Sequence, residues 1–217
     1  EACWLSTKEA VSRAKAYDTQ IHILHMTTAR ELEFFEPSAV ADKKITVEAC
    51  PHHLWFSEDD YDQLGSRIKC NPAIKTAADR KALREALKTG LIDTVGTDHA
   101  PHLPSEKMKS SIWEADCGFP GVETQMPLML TQVNRDKLSL QTYVDISSTR
   151  PSKGFGLWPL KGQINVGCHA DIAVVDLNRK EIIKSSGLHS KSKFTPFDGF
   201  QVKGAPIHTL VRGEFIQ

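Results

Sequence analysis

A carboxylate and two imidazoles follow one another closely within residues 94–102, where a short apolar strand is expected to end. Val95 is typical of a buried strand, and Asp98, His99 and His102 come soon after it. Ionisable groups at the exit of a buried strand are costly to place unless the protein uses them. The stretch therefore predicts an acid–base or metal site. The alternative is that Asp98 caps the next helix and that both histidines lie on a surface loop.

Two earlier segments have the same arrangement. Residues 21–24 form a short apolar run that ends at His25, and residues 45–50 form a second run that leads into His52 and His53. Because α/β proteins place their active sites at the carboxyl ends of parallel strands, we expect these groups to share one edge with the first stretch. For His25 alone, the alternative is an ordinary core histidine. For the pair, a structural hydrogen-bonding role is favoured over metal ligation.

Capping signals between these segments predict helices. Capping boxes predict helix starts at residues 6–9, 28–31 and 76–79, and Ser139 predicts a fourth start. Helices that alternate with apolar runs on this period indicate a parallel sheet with crossover connections. The predicted fold class is therefore α/β.

The pattern changes downstream of Lys161. Short β runs, residues 172–175 and 210–211, are separated there by Gly, Pro and Ser turns. We therefore predict a domain boundary near Lys161, with one domain over residues 1–160 and a second over residues 161–217.

The composition narrows the class of protein. The 217 residues include 27 basic and 27 acidic side chains, so the formal net charge is zero. This balance argues against nucleic acid or an acidic membrane surface as the main partner, and no apolar run reaches transmembrane length. The five cysteines are odd in number and widely spaced, which predicts reduced thiols in a cytoplasmic protein. The first residue is Glu1 rather than Met, and we expect the chain to be part of a longer protein.

Four motifs are specific only as a set: Asp98-His-Ala-Pro-His102, Asn71-Pro72, Pro51-His-His-Leu54 and Gly118-Phe-Pro-Gly-Val-Glu-Thr124. Together they resemble the dihydroorotase family, in the cyclic-amidohydrolase branch of the metal-dependent amidohydrolases. The resemblance covers essentially the whole chain, because residues 161–171, 192–197 and 211–213 resemble the family's closing β-domain. It implies that residues 1–160 hold strands 6–8 of a (β/α)8 TIM-type barrel. It also implies that residues 161–217 are part of a small β-sandwich domain.

The resemblance also implies an activity and its metal. Enzymes of this family hold one or two zinc ions. They interconvert N-carbamoyl-L-aspartate and the cyclic amide L-dihydroorotate in de novo pyrimidine biosynthesis. The resemblance implies that His25 is a zinc ligand and that Asp98 is both a zinc ligand and the general base.

Four further residues match positions that contact the substrate. The resemblance implies that His102 and Asn71 hold the substrate carboxylate and ring. It implies that backbone of the Cys117–Gly118 loop hydrogen-bonds the ring amide. A nucleophilic role for Cys117 is disfavoured, because no histidine in the sequence pattern is placed to activate it.

The chain departs from the family in one large respect. The family's His-x-His motif, its bridging carboxylated lysine or Asp and its strand-five histidine cannot be placed in this sequence. Two implied ligands are fewer than the three or four that zinc takes from a protein. We therefore expect these 217 residues alone neither to hold zinc tightly nor to hydrolyse dihydroorotate.

Two alternative functions remain open from the sequence. The first is an allantoinase or hydantoinase, and His102 argues against it because a carboxylate-binding histidine suits dihydroorotate. The second is a non-catalytic dihydroorotase-like subunit that scaffolds another pyrimidine enzyme. For partners we expect a small-molecule substrate and a homo-oligomer, with other pyrimidine-pathway enzymes as further candidates.

Overall fold

The computed structural model describes residues 1–216, which form two three-stranded sheets with helices packed against them. Short 3₁₀ turns connect several of the elements. The strands are β1 Ile21–Ile23, β2 Ile45–Ala49, β3 Thr94–Val95, β4 Ile172–Ile182, β5 Gln201–Val211 and β6 Glu214–Phe215. The α helices are α1 Ala2–Ala16, α2 Pro51–Trp55, α3 Tyr61–Leu64, α4 Ala77–Lys88, α5 Pro104–Lys107, α6 Gln125–Asn134, α7 Leu140–Val144 and α8 Arg150–Gly154.

The first sheet has the order β1-β2-β3 and is entirely parallel, as the sequence predicts. Ile21 pairs with Ile45, and Glu48 pairs with Thr94. Val47 and Ala49 are fully buried in the main core beneath this sheet. Because β1 and β3 both run parallel to β2, the carboxyl ends of all three strands lie at the same edge of the sheet.

Helix α4 forms as its capping box predicts. The Thr76 side chain accepts a hydrogen bond from the Asp79 backbone N–H at 3.1 Å, and the Asp79 carboxylate accepts one from the Thr76 backbone N–H. Leu83 and Leu87 face the core. Ser139 likewise caps α7 by accepting from the backbone N–H of Thr142.

The other two capping predictions need correction. Residues 6–9 lie inside α1 and do not mark a helix start, because the preceding turn is already helical and its Trp4 contacts a neighbouring segment. The Trp4 indole donates to Glu33 at 2.5 Å and lies 3.7 Å from the Arg30 guanidinium. Residues 28–31 do form reciprocal hydrogen bonds, but they begin only a 3₁₀ helix, Arg30–Phe34. Pro37 follows within three residues, which leaves no room for a longer helix.

A buried carboxylate fixes the far end of the first sheet. Asp93 is fully buried, and it accepts from Lys43 Nζ at 2.7 Å and from the Val47 backbone N–H at 3.0 Å. The Arg150 guanidinium lies 3.8 Å away. This network ties the start of β3 to β2 and α8, at the end of the sheet away from the rim described below.

The second sheet packs against α6. Strands β4, β5 and β6 are antiparallel neighbours, and the predicted runs 172–175 and 210–211 lie within longer strands. Gly204 of β5 approaches α6 so closely that a Cβ there would lie 2.7 Å from Leu130 Cβ. The Asn134 amide donates to backbone carbonyls of β4 and β5 at 3.0 Å. Within residues 1–216, no helix combines the length and apolar character needed to cross a membrane.

Candidate active site

His25 and Asp98 lie at the same edge of the parallel sheet. His25 follows β1 and Asp98 follows β3, so they flank β2 from opposite sides. His25 is half-buried, whereas Asp98 is exposed. Both residues have left-handed backbone, with φ of 39° and 47°. Asp and His tolerate this conformation better than most residues, and strain of about 1–3 kcal/mol per position persists chiefly at functional sites.

Glu48 lies between these two residues and was not anticipated from the sequence. Its Oε1 is 3.4 Å from the His25 backbone N–H nitrogen and 3.8 Å from Cys50 Sγ. Burial raises the pKa of the Glu48 carboxyl, and the nearby Asp98 charge raises it further, whereas His25 lowers it. The three residues, His25, Glu48 and Asp98, are called the strand-end rim below. A carboxylate inside an otherwise apolar strand was the available signal.

A glycine makes room for the Glu48 carboxylate. A Cβ on Gly96 would lie only 2.1 Å from Glu48 Oε2, closer than any real contact. A side chain at position 96 would therefore have to displace the Glu48 carboxylate from its position in the rim.

His22, on β1, has a different environment from His25. Its Nδ1 lies 2.7 Å from Thr46 Oγ1 and its Nε2 lies 3.4 Å from Thr94 Oγ1, so the ring bridges all three strands. Burial lowers the pKa of the His22 imidazole. These contacts give His22 a structural role in the sheet.

His52 and His53 are buried beside the rim. His53 Nε2 lies 2.9 Å from the Pro72 carbonyl, which matches the predicted structural hydrogen bond. His53 Nδ1 and His52 Nε2 have no hydrogen-bond partner among residues 1–216. Burial lowers the pKa of His53 to about 3 and that of His52 well below its usual value, so both rings are neutral. Together with Cys50 they offer ligand atoms within 4.8 Å of one another.

The predicted substrate-binding residues lie on three loops near this edge. Asn71 is exposed, Cys117 is half-buried and Gly118 is buried. The Gly118 backbone N–H, at φ of +100°, already donates to the Lys69 carbonyl at 2.9 Å. His102 Nδ1 lies 3.8 Å from Glu106 and 3.7 Å from Asp116, too far for a hydrogen bond to either carboxylate.

A buried lysine joins these loops, and no sequence pattern had indicated it. Lys107 is fully buried, and its Nζ donates to the backbone carbonyls of Lys69 at 2.7 Å and Asp116 at 2.6 Å. Burial lowers the pKa of Lys107 to about 8, so the ammonium form dominates at neutral pH. The residues Lys69, Lys107 and Asp116 are called the loop junction below.

His99 fixes the glycine-rich loop to the same region. Its Nδ1 accepts from the backbone N–H groups of Gly121 at 3.1 Å and Val122 at 3.3 Å. A Cβ on Gly121 would lie 2.8 Å from the Thr97 carbonyl, so this contact requires glycine. His99 therefore has a structural role, whereas the side chain of its neighbour Asp98 is exposed.

The donor types at the rim fit a zinc ion. Imidazole and carboxylate are both zinc ligands, and His25 and Asp98 provide one of each after the two strands that flank β2. Their left-handed backbone turns both residues away from the strand path. Because a zinc site takes three or four protein ligands, these two residues alone would supply only part of one.

Comparison with known proteins gives the family. The amidohydrolase family matches residues 3–216. A dihydroorotase from Halobacterium salinarum is 42% identical over 208 residues, covering 94% of this chain and 47% of that protein. An L-hydantoinase from Paenarthrobacter aurescens is 34% identical, covering 96% of this chain and 47% of its own length.

A solved structure agrees with the sequence relatives. The L-hydantoinase (dihydropyrimidinase) from Arthrobacter aurescens superposes with a TM-score of 0.93 at 33% identity, over 98% of this chain and 48% of that one. The chain thus spans about half the length of the relatives that it matches. With a family match that runs from residue 3 to residue 216, the chain belongs to the amidohydrolase family.

Proposed function

We propose that the protein containing this chain is a zinc-dependent hydrolase that opens a cyclic amide, with dihydroorotate as its substrate. The observation that carries the proposal is the strand-end rim. His25 and Asp98 follow the two strands that flank β2, and the Glu48 carboxylate lies within electrostatic range of both. The 42% identity to a dihydroorotase supports this choice of substrate.

In this proposal the chain contributes the last part of a barrel and part of a closing domain. Residues 1–160 form strands 6–8 of a (β/α)8 barrel with their helices, which the parallel order β1-β2-β3 supports. Residues 161–217 contribute to a small β-sandwich domain, which the antiparallel sheet β4-β5-β6 supports. The protein is cytoplasmic and forms a homo-oligomer.

His25 and Asp98 would hold the zinc ion, with further ligands from outside these residues. When bound, zinc would supply a water molecule whose pKa is lowered to about 7. Asp98 takes the proton from the attacking water and delivers it to the ring nitrogen as the amide C–N bond breaks. Its exposure at the open edge of the sheet suits a residue that must meet substrate.

The three loops bind the substrate. His102 donates to the carboxylate of dihydroorotate from its outer nitrogen, because Nδ1 faces Glu106 and Asp116. Asn71 donates to the ring. The Cys117–Gly118 loop accepts the ring N–H through a carbonyl oxygen, since the Gly118 N–H is already used.

A hydantoinase is the second candidate. It is favoured by the L-hydantoinase relative and by the L-hydantoinase structure with a TM-score of 0.93. Hydantoins present the same cyclic amide but do not require a carboxylate-binding histidine. His102 therefore favours dihydroorotate.

The test uses the intact protein, meaning this chain with whatever native sequence flanks it. After zinc loading, ring opening of dihydroorotate and of a 5-substituted hydantoin is followed by absorbance. We expect a higher kcat/KM for dihydroorotate. A preference for the hydantoin would favour the second candidate, and a zinc-loaded protein that opens neither ring would exclude both.

A further inference from the structure

The buried charge of Lys107 is not accounted for by a contribution to the stability of the fold. Its side chain is fully buried, and within residues 1–216 it forms no salt bridge. Taking an ammonium group out of water is costly, and replacing buried charges by apolar groups of similar volume is often neutral or stabilising. A methionine would fill the same space without that cost. The retained charge therefore points to a specific use of its hydrogen bonds.

The two carbonyls that Lys107 binds belong to two of the proposed substrate loops. Lys69 lies two residues before Asn71, and Asp116 lies directly before Cys117. The Gly118 N–H and Lys69 Nζ add two more bonds between the same segments, to the Lys69 and Ala115 carbonyls.

The third substrate loop carries the lysine itself. Lys107 ends α5, the short helix that follows His102, and the Asp116 N–H donates to the Glu106 carbonyl at 3.2 Å. The ammonium group is therefore the point at which all three loops meet. Removing it would leave the Asp116 carbonyl without its donor and would break both side-chain hydrogen bonds that Lys107 makes from the α5 loop to the other two loops.

We propose that Lys107 is a positioning residue that holds the three substrate loops in register, and so sets the affinity for the cyclic amide without taking part in the chemistry. The inference rests on the proposed function, because that function assigns Asn71, His102 and Gly118 to the substrate. The loop-holding part can also be measured without any substrate.

The test compares Lys107→Met with Lys109→Met in the intact, zinc-loaded protein. Lys109 is exposed two residues further along the same segment, which makes it a matched control. For Lys107→Met we expect KM to rise about tenfold or more, as the loss of charge-assisted hydrogen bonds would give. We expect kcat to stay within about threefold, because the rim is intact. Lys109→Met should change neither constant.

Hydrogen exchange gives the readout that does not depend on substrate. The Gly118 amide is bonded across the loops, so peptides over residues 115–121 should exchange at least about tenfold faster in Lys107→Met. Unchanged KM together with unchanged exchange would overturn the proposal, and so would a fall in kcat without a rise in KM. Should Lys107→Met not fold, Lys107→Gln is judged by the same criteria, since its amide is one bond too short to reach both carbonyls. If the wild type opens no cyclic amide, the proposed function fails, and the exchange comparison alone decides whether Lys107 holds the loops.

Discussion

The strand-end rim and the loop junction lie close together but are built in opposite ways. At the rim, Asp98 is exposed and His25 is half-buried, on strained backbone. At the junction, Lys107 is fully buried and donates to two carbonyls at 2.6 and 2.7 Å. The rim therefore leaves its ligand-bearing side chains accessible, whereas the junction ammonium is bound by two backbone carbonyls of the chain.

Under the proposed function, this difference assigns two separate tasks to the rim and the junction. Groups that bind a metal or move a proton must stay available, so they cannot be satisfied by the surrounding protein. Groups that shape a binding surface work best when they are locked by internal bonds. Rim substitutions should therefore lower kcat or metal content, and substitutions on the junction side should raise KM.

The largest effect is expected for Asp98→Asn. Loss of the base and of one metal ligand should lower kcat about a thousandfold or more, with the fold preserved. Asp136→Asn is the matched control, because Asp136 is also exposed with positive φ but lies far along the chain. Steady-state kinetics and circular dichroism measure both variants. Near-normal turnover in Asp98→Asn would remove Asp98 from the chemistry.

His25→Asn should cost the protein its metal. Asparagine tolerates left-handed backbone, so the substitution removes the imidazole with little strain at φ of 39°. Zinc affinity should fall more than about 100-fold. This is a larger loss than the one caused by removing a residue that only hydrogen-bonds a metal ligand. His22→Asn is the control and should keep its zinc in elemental analysis. Equal zinc contents in the two variants would contradict the ligand assignment.

His102→Ala tests the substrate side of the comparison. Losing one charge-assisted hydrogen bond should lower kcat/KM for dihydroorotate about 10- to 100-fold, mainly through KM. Zinc content should not change, since His102 is not proposed as a ligand. Activity on a hydantoin without a carboxylate should fall much less. Zinc loss in this variant would instead make His102 a ligand.

The smallest effect is expected for Gly96→Ala. The new Cβ would lie 2.1 Å from the Glu48 carboxylate and must displace it, at a cost of about 1–3 kcal/mol. Thermal unfolding measures the loss. Adding Glu48→Ala should recover part of it, because the two residues share one space. Strictly additive losses in the double variant would show that Glu48 is not what Gly96 accommodates.

The sequence predicted the parallel sheet and α4 because their signals are local. Apolar runs, capping boxes and the periodic face of α4 depend on neighbouring residues. His25 and Asp98 could also be assigned to one edge, because parallel strands with crossovers bring their carboxyl ends together.

Glu48 and Lys107 could not be found in this way. Their significance comes from contacts with distant residues, such as the Lys69 carbonyl 38 residues before Lys107. In the sequence, Lys107 looks like an ordinary surface lysine at the end of a polar helix. The helical turn before residue 6 was missed for the same reason, since its Trp4 contacts Glu33 and Arg30 from a distant segment.

The contact between α6 and the second sheet bears on how the molecule moves. Gly204 lets β5 press against Leu130, and the Asn134 amide is bonded to carbonyls on both β4 and β5. Side chains of β4 also pack onto the main core. A hinge between the two sheets would have to break these bonds together, so we expect them to travel as one body. Entry and exit of a ligand would then depend on the loops at the carboxyl ends of the parallel strands. In a catalytic cycle, we would expect the slowest motion to occur in these loops.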